Sequence, residues 1–142
     1  MRSLYDVNVL IALFDPQHTQ HAKARTWHES VGQTGWATCP ITQNGLLRIV
    51  SQPRYTNPAS VAELLSLLNN ATADPSHQFW PDDISLVTAG VINPKIVLTA
   101  GALTDVYLLG LAVKRSGRLV TLDTRIARDA IIGARPGHFV VL

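Results

Sequence analysis

Apolar positions along the chain come in short blocks, and the residues between them punctuate those blocks into alternating strands and helices. The densest block is Leu103 to Asp123. Val106, Leu108, Leu109, Leu111, Ala112 and Val113 are apolar on nearly every side of a helix, a pattern kept only where protein surrounds it. Lys114 and Arg115 suit the negative C-terminal end of that helix, and Gly117 is expected to take the left-handed conformation that stops it. Leu119, Val120, Thr121 and Leu122 then form a β-prone run that ends on Asp123. An aspartate just past a buried strand lies where open α/β sheets hold their ligands. Asp105, at the start of the helix, is expected to share its cleft.

The same punctuation organises the rest. Arg2 to Asp6 predicts a strand ending on an aspartate, with Asn8 as a helix cap before Val9 to Phe14. Asp15-Pro16 restarts a helix that runs to about Val31, ended by Gly32 and Gly35. Trp36 to Cys39 is a strand stopped by Pro40, and Thr42 caps a helix from Gln43 to about Ser51. Val61 to about Asn70 is amphipathic, with Val61, Leu64, Leu65, Leu67 and Leu68 as its stripe. His77 to Trp80 predicts an edge strand, Ile84 to Val91 a helix, Thr124 to Ile132 another helix, and His138 to Leu142 a last strand. Strands separated by helices imply right-handed crossovers and a mainly parallel central sheet flanked by helices, a three-layer α/β domain spanning 1–142.

Composition narrows the class. At 142 residues and 46% hydrophobic, the chain is the size of one domain that buries roughly 70% of its unfolded surface. The one cysteine, Cys39, allows no intrachain disulfide and no Cys/His zinc pattern, so a reducing cytoplasm is expected. Val9 to Phe14 is too short to span a bilayer and lacks a cleavage site. Ile96 to Val113 carries Asp105 in its middle, at a cost of about 2.5–3.5 kcal/mol in a membrane, and reads as core.

Charge is uneven although the formal net is only +2. Seven basic residues face three acidic ones from Lys95 onward, against five basic and seven acidic before it. A basic half that holds the aspartates suits a polyanionic substrate drawn to a metal cleft. A solvated charged surface accounts for so modest an imbalance as well.

Three aspartates carry the candidate chemistry. Asp6 and Asp123 follow strands and Asp105 opens a helix; they converge if the first and last strands are neighbours. Carboxylates gathered in one cleft repel, and must protonate or share a cation. Oxygen-only ligands favour a hard ion, Mg²⁺ or Mn²⁺, which activates water and neutralises phosphoryl charge. A helix-capping role accounts for any one of them alone and is weakened by the recurrence at equivalent places. Arg48, Arg125 and Arg128 are candidates for phosphate contacts. His18 and His21 lie three apart without a third ligand, Trp36 and Trp80 are expected in the core, and Cys39 is expected to be inert.

Asp6-Val7-Asn8, the segment Thr42 to Ile49, Leu103-Thr104-Asp105 with Tyr107 to Ala112, and Val120 to Asp123 together resemble PIN-domain ribonucleases, specifically the VapC toxins of bacterial toxin–antitoxin pairs. The resemblance covers essentially the whole chain, in order. It implies that Asp6, Asp105 and Asp123 bind the metal, and that Asn8 and Thr104 or Thr121 orient them. The implied activity is Mg²⁺-dependent endonucleolytic cleavage of RNA by metal-activated water, without need of the 2′-OH. It further implies a homodimer held inactive by a small antitoxin, a separate chain whose tail blocks the acidic cleft.

One position departs from the family pattern. A fourth acid, a glutamate, usually opens the helix after the second strand, and Gln43 stands there. Its amide oxygen can still hold a metal or a metal-bound water, but without charge metal affinity falls. Asp82 or Asp83 either compensates or caps a helix. Two rivals follow: a haloacid-dehalogenase-like phosphatase, which wants Asp-x-Asp where this chain has Asn8, and a PIN-like RNA-binding module disabled by Gln43, whose affinity would be salt-dependent.

Overall fold

Alternation along three short strands decides the layers. A computed structural model of the chain describes residues 1–31 and 34–142; the helix stop expected at Gly32 lies outside the described residues. Strands β1 (Ser3–Tyr5), β2 (Trp36–Thr38), β3 (His77–Phe79), β4 (Arg118–Thr121) and β5 (Phe139–Val141) form a five-stranded sheet in the order β3-β2-β1-β4-β5. Every pairing is parallel. Leu4 pairs with Ala37 and Leu119, and all three pack on one face; Tyr5, Trp36 and Val120 pack on the other. A sheet apolar on both faces has to be covered twice.

Helix α5 (Leu103–Lys114) covers the first face, burying Val106, Leu108, Leu109, Leu111 and Ala112 completely. Its all-round apolar pattern is satisfied because Ile84, Leu86, Val91, Ile96 and Leu98 of the preceding segment wrap its outer side. Helices α1 (Val7–Phe14), α3 (Pro40–Val50) and α4 (Val61–Thr72) cover the second face through Leu10, Leu46, Leu64 and Leu68. Helix α2 (His21–Ser30) packs alongside α1. Of the α4 stripe, Leu64 and Leu68 are buried while Val61, Leu65 and Leu67 stay about half exposed.

The strand order places a topological switch between β1 and β4, where chain winding reverses and two carboxyl ends open side by side. The neighbour of β1 on that side is β4, not the last strand.

Several boundaries differ from the sequence expectation. Asp15 ends α1 by donating its N–H to Ile11 O, and its carboxylate accepts from Gln17 N, Asn57 Nδ2 and Tyr55 OH, so α2 starts only at His21. Pro40 opens α3 instead of merely stopping β2, and Thr42 lies inside that helix with its hydroxyl accepting from Cys39 N at 3.0 Å. Ser116, at φ 53°, takes the left-handed conformation after α5. Gly117 is needed for space: a Cβ there would lie 2.6 Å from Trp80 Cη2 and 2.8 Å from Arg2 O.

The helices expected over 84–91 and 124–132 do not form. Isolated turns stand in their place, such as Thr88 N donating to Ser85 O at 3.1 Å, and just past the first segment Asn93 N donates to Ala130 O at 2.8 Å and Ile132 N to Val91 O at 3.0 Å, around an antiparallel bridge between Ile92 and Ile131. Only Arg128–Ala130 makes a single 3₁₀ turn. Among the described residues no helix is long and apolar enough to cross a membrane.

Candidate active site

The site is built from β1 and β4 outward. Asp6 leaves β1 and caps α1, accepting from Val7 N at 2.6 Å, while its own N–H donates to Val120 O at 3.0 Å. Its second carboxylate oxygen accepts from the hydroxyl of Thr121, the last residue of β4, at 2.7 Å. The Thr121 oxygen in turn accepts from Asp123 N at 3.0 Å and from Asn8 Nδ2 at 3.2 Å. Asn8 Oδ1 accepts from Leu122 N at 3.1 Å. Thus Thr121 and Asn8 tie the two strand ends into one hydrogen-bonded unit that fixes both Asp6 and the Asp123 backbone. Asp6 is only 4% exposed.

Asp105, on the first turn of α5, lies close enough to Asp6 and Asp123 for both charges to act on it. It lines, with Asp123, Arg125, Thr99, Gly101, Ala102 and Ile126, a cleft of about 260 Å³. A larger hollow of about 560 Å³ between Phe14, Val50 and Leu67 holds none of the three aspartates.

The charges couple across the cleft. Burial, then the Asp6 and Asp123 charges, push the Asp105 carboxyl up to about 6. Burial also raises Asp6 above the usual carboxylate range, opposed by its bonds from Thr121 and Val7, with Asp123 adding to the rise. Asp123 goes the other way, down to about 2, because the Arg125 side chain and backbone N–H both bond its carboxylate. Like charges raised in this way are what a shared cation relieves, and an all-oxygen donor set suits a hard divalent ion. Among the described residues no three His, Cys, Asp or Glu side chains stand as a ready-made metal cluster. The donor chemistry fits; the Asp123 carboxylate is engaged by Arg125.

The remaining candidates separate. Thr104 is exposed on α5, so the hydroxyl that contacts Asp6 belongs to Thr121. Gln43, on α3, donates from Nε2 to Thr38 Oγ1 at 2.9 Å, and that hydroxyl also meets His77 Nε2 at 2.9 Å. Arg125 lines the cleft; Arg48 is exposed at the last turn of α3, and Arg128 lies 3.4 Å from Asp129. Asp83 pairs with Arg115 at 2.7 Å and Lys114 at 3.3 Å, at the opposite end of α5 from Asp105. Asp82 caps no helix, and its Oδ1 is buried without a hydrogen-bond partner. His18 and His21 turn to local backbone, through Gln20 N and Ala12 O. Trp36, Trp80 and Cys39 are buried, and burial pushes the Cys39 thiol up to about 11.

Two features escaped sequence reasoning. The Thr38–His77 pair joins residues far apart in the chain and leaves no local signal. The fork of Arg125 on Asp123 does have one, since an Asp two residues before an Arg can take its backbone N–H in a turn.

A parallel sheet with acids at its switch point defines a class, and the comparisons agree with it. The PIN domain model matches residues 4–131. Ribonuclease VapC44 of Mycobacterium tuberculosis (strain ATCC 25618 / H37Rv) is 46% identical over 142 residues, all of both chains. Ribonuclease VapC39 of the same strain is 39% identical over 138 residues, 94% of this chain and 96% of that protein. A crystal structure of VapBC2 from Rickettsia felis, bound to a DNA fragment from their promoter, superposes with TM-score 0.56 at 12% identity, covering 87% of this chain and 89% of that one; it speaks for the fold. The chain belongs to the PIN-domain family, and within it to the VapC ribonucleases. PIN ribonucleases are in general dependent on divalent metal.

Proposed function

We infer that this chain is the toxin of a toxin–antitoxin pair, an endoribonuclease that hydrolyses RNA phosphodiester bonds with a divalent ion held by Asp6, Asp105 and Asp123. The observation that carries this reading is the meeting of the three aspartates at the β1/β4 switch point: Thr121 joins the Asp6 carboxylate to the Asp123 backbone N–H, and Asp105 lines the cleft beside Asp123. Full-length identity to a named ribonuclease supports it.

When bound, the ion supplies Lewis acidity: it neutralises charge on the phosphoryl group and lowers the pKa of water. The chain's own residues do the rest. Thr121 and Asn8 hold Asp6 and the Asp123 backbone in place, and Arg125 stands at the cleft to meet a phosphate. Mg²⁺ is the proposed ion, with Mn²⁺ as substitute. A cognate antitoxin, a homodimer, a cytoplasmic location and one functional unit over 1–142 complete the proposal.

The second reading, an RNA-binding module without cleavage, is favoured by one fact: Gln43 brings no charge and its amide nitrogen is committed to Thr38. Product ends decide between mechanisms. Hydrolysis by water predicts cleavage of an RNA carrying a 2′-deoxy sugar at the cut site, leaving no cyclic phosphate. A cut blocked by the 2′-deoxy sugar would contradict the metal-ion reading, and RNA bound but intact at every metal concentration would select the second.

A further inference from the structure

Asp123 meets the cleft already bound to a cation of the chain itself. Arg125 folds back over it, with Nε donating to Oδ1 at 3.0 Å, Nη2 to Oδ2 at 2.9 Å, and the backbone N–H to Oδ1 at 2.8 Å. Both carboxylate oxygens are thereby taken by one planar fork. The two partners differ in freedom: the Arg125 side chain is 87% exposed, the Asp123 side chain 24%. The arginine is the member able to leave. Arg125 is also the one basic side chain among the residues that line this cleft.

We propose that Arg125 is a built-in competitor for the divalent ion: it holds the Asp123 carboxylate until the ion displaces it, and the released guanidinium then takes an RNA phosphate. The proposal rests on the reading of Asp6, Asp105 and Asp123 as the metal-binding acids. An exposed, solvent-screened ion pair is weak, so a doubly charged ion shared by three carboxylates displaces it, at the expense of part of its affinity. A guanidinium matches carboxylate and phosphate with the same pair of donors, so it can exchange one for the other without rebuilding the site. Binding is reciprocal: RNA that draws Arg125 away tightens the ion, and the ion that frees Arg125 tightens RNA. Metal loading is thereby coupled to the arrival of substrate.

The test is Mn²⁺ binding by the full chain without RNA, followed by the electron paramagnetic resonance signal of free Mn²⁺. It compares wild type, Arg125→Ala, Arg125→Gln and Asp6→Asn, each shown folded by circular dichroism. Both Arg125 variants are expected to bind Mn²⁺ about three- to fivefold tighter than wild type, the scale of an exposed bidentate pair. Asp6→Asn is expected to bind more weakly. Unchanged or weaker Mn²⁺ binding in the Arg125 variants, with Asp6→Asn still weakened, would overturn the competition and leave the nuclease reading standing. Mn²⁺ binding indifferent to Asp6→Asn would overturn both.

Discussion

The hydroxyl of Thr121 donates to Asp6 Oδ2 at 2.7 Å while its oxygen accepts from Asp123 N and Asn8 Nδ2. One donor and two acceptor sites are all a hydroxyl has, so this one is saturated. Thr121→Val keeps the shape and removes all three bonds. We expect it to cost about 1–3 kcal/mol of stability in urea unfolding. Initial rates of RNA cleavage should fall roughly 10- to 100-fold, as when ligand-orienting partners are removed. Thr121→Ser should stay near wild type. A Thr121→Val variant with an unaltered rate would remove Thr121 from the site.

Asp105 gives the metal-free protein a pH signature. Its carboxyl is raised from 3.8 to about 6, so the unfolded chain loses this proton first. The stability it contributes is therefore full below about pH 4, is lost as pH rises through 6, and stays lost above. Asp123, lowered to about 2, acts in the opposite sense and in a separate window, losing its contribution only as pH falls below 4. We expect Asp105→Asn to raise the metal-free Tm at pH 7.5 by roughly 3 °C and to remove part of the slope between pH 4 and 6. Mn²⁺ should raise the Tm of wild type more than that of the variant. Parallel thermal melts with and without EDTA measure both effects.

The parts of the fold legible in the sequence were those whose signal is local. Leu4-Tyr5-Asp6, Trp36-Ala37-Thr38 and Leu119 to Asp123 read as buried strands because both faces are apolar, and the acids stand out where the apolar run stops. The α5 pattern read as a surrounded helix and is one. Segments 84–91 and 124–132 failed for a shared reason. Their apolar residues suggested helix faces, yet their backbone makes isolated local turns, and the ends of the two segments meet at the Ile92–Ile131 bridge, a long-range choice that no window of residues reveals. Around the candidate site, the positions of Asp6 and Asp123 after strands and of Asp105 at a helix start were legible, whereas finding Thr121 and not Thr104 against Asp6 needed the strand register that sets Thr121 there.

Gly45 sets how closely α3 approaches α1 beside the site. A Cβ there would lie 2.6 Å from Val7 Cγ2, and Val7 follows Asp6 directly. Gly45→Ala should therefore destabilise the protein by about 1–3 kcal/mol through overpacking. Val7→Ala in the same chain should recover part of that loss, which a double-mutant cycle of urea unfolding would measure. Additive losses would show that the two residues do not press on each other.

A carboxylate placed at position 43 probes the departure that the resemblance implies there. Gln43 now donates to Thr38; a glutamate would instead need the Thr38 hydroxyl proton, in competition with His77. For an active enzyme, Gln43→Glu should change cleavage at saturating Mg²⁺ by less than about threefold, under 1 kcal/mol of barrier. The gain should appear as a lower Mg²⁺ concentration for half-maximal rate. A gain of about 100-fold at saturation would instead identify the amide as a disabling change.

The most direct measurement is cleavage of total cellular RNA by purified, antitoxin-free protein with Mg²⁺ or Mn²⁺, beside Asp6→Asn and Asp105→Asn. A metal nuclease working through these aspartates gives discrete cuts by the wild type that disappear with EDTA and in both variants. Intact RNA from a folded wild-type protein, or cutting that survives both substitutions, would contradict that reading.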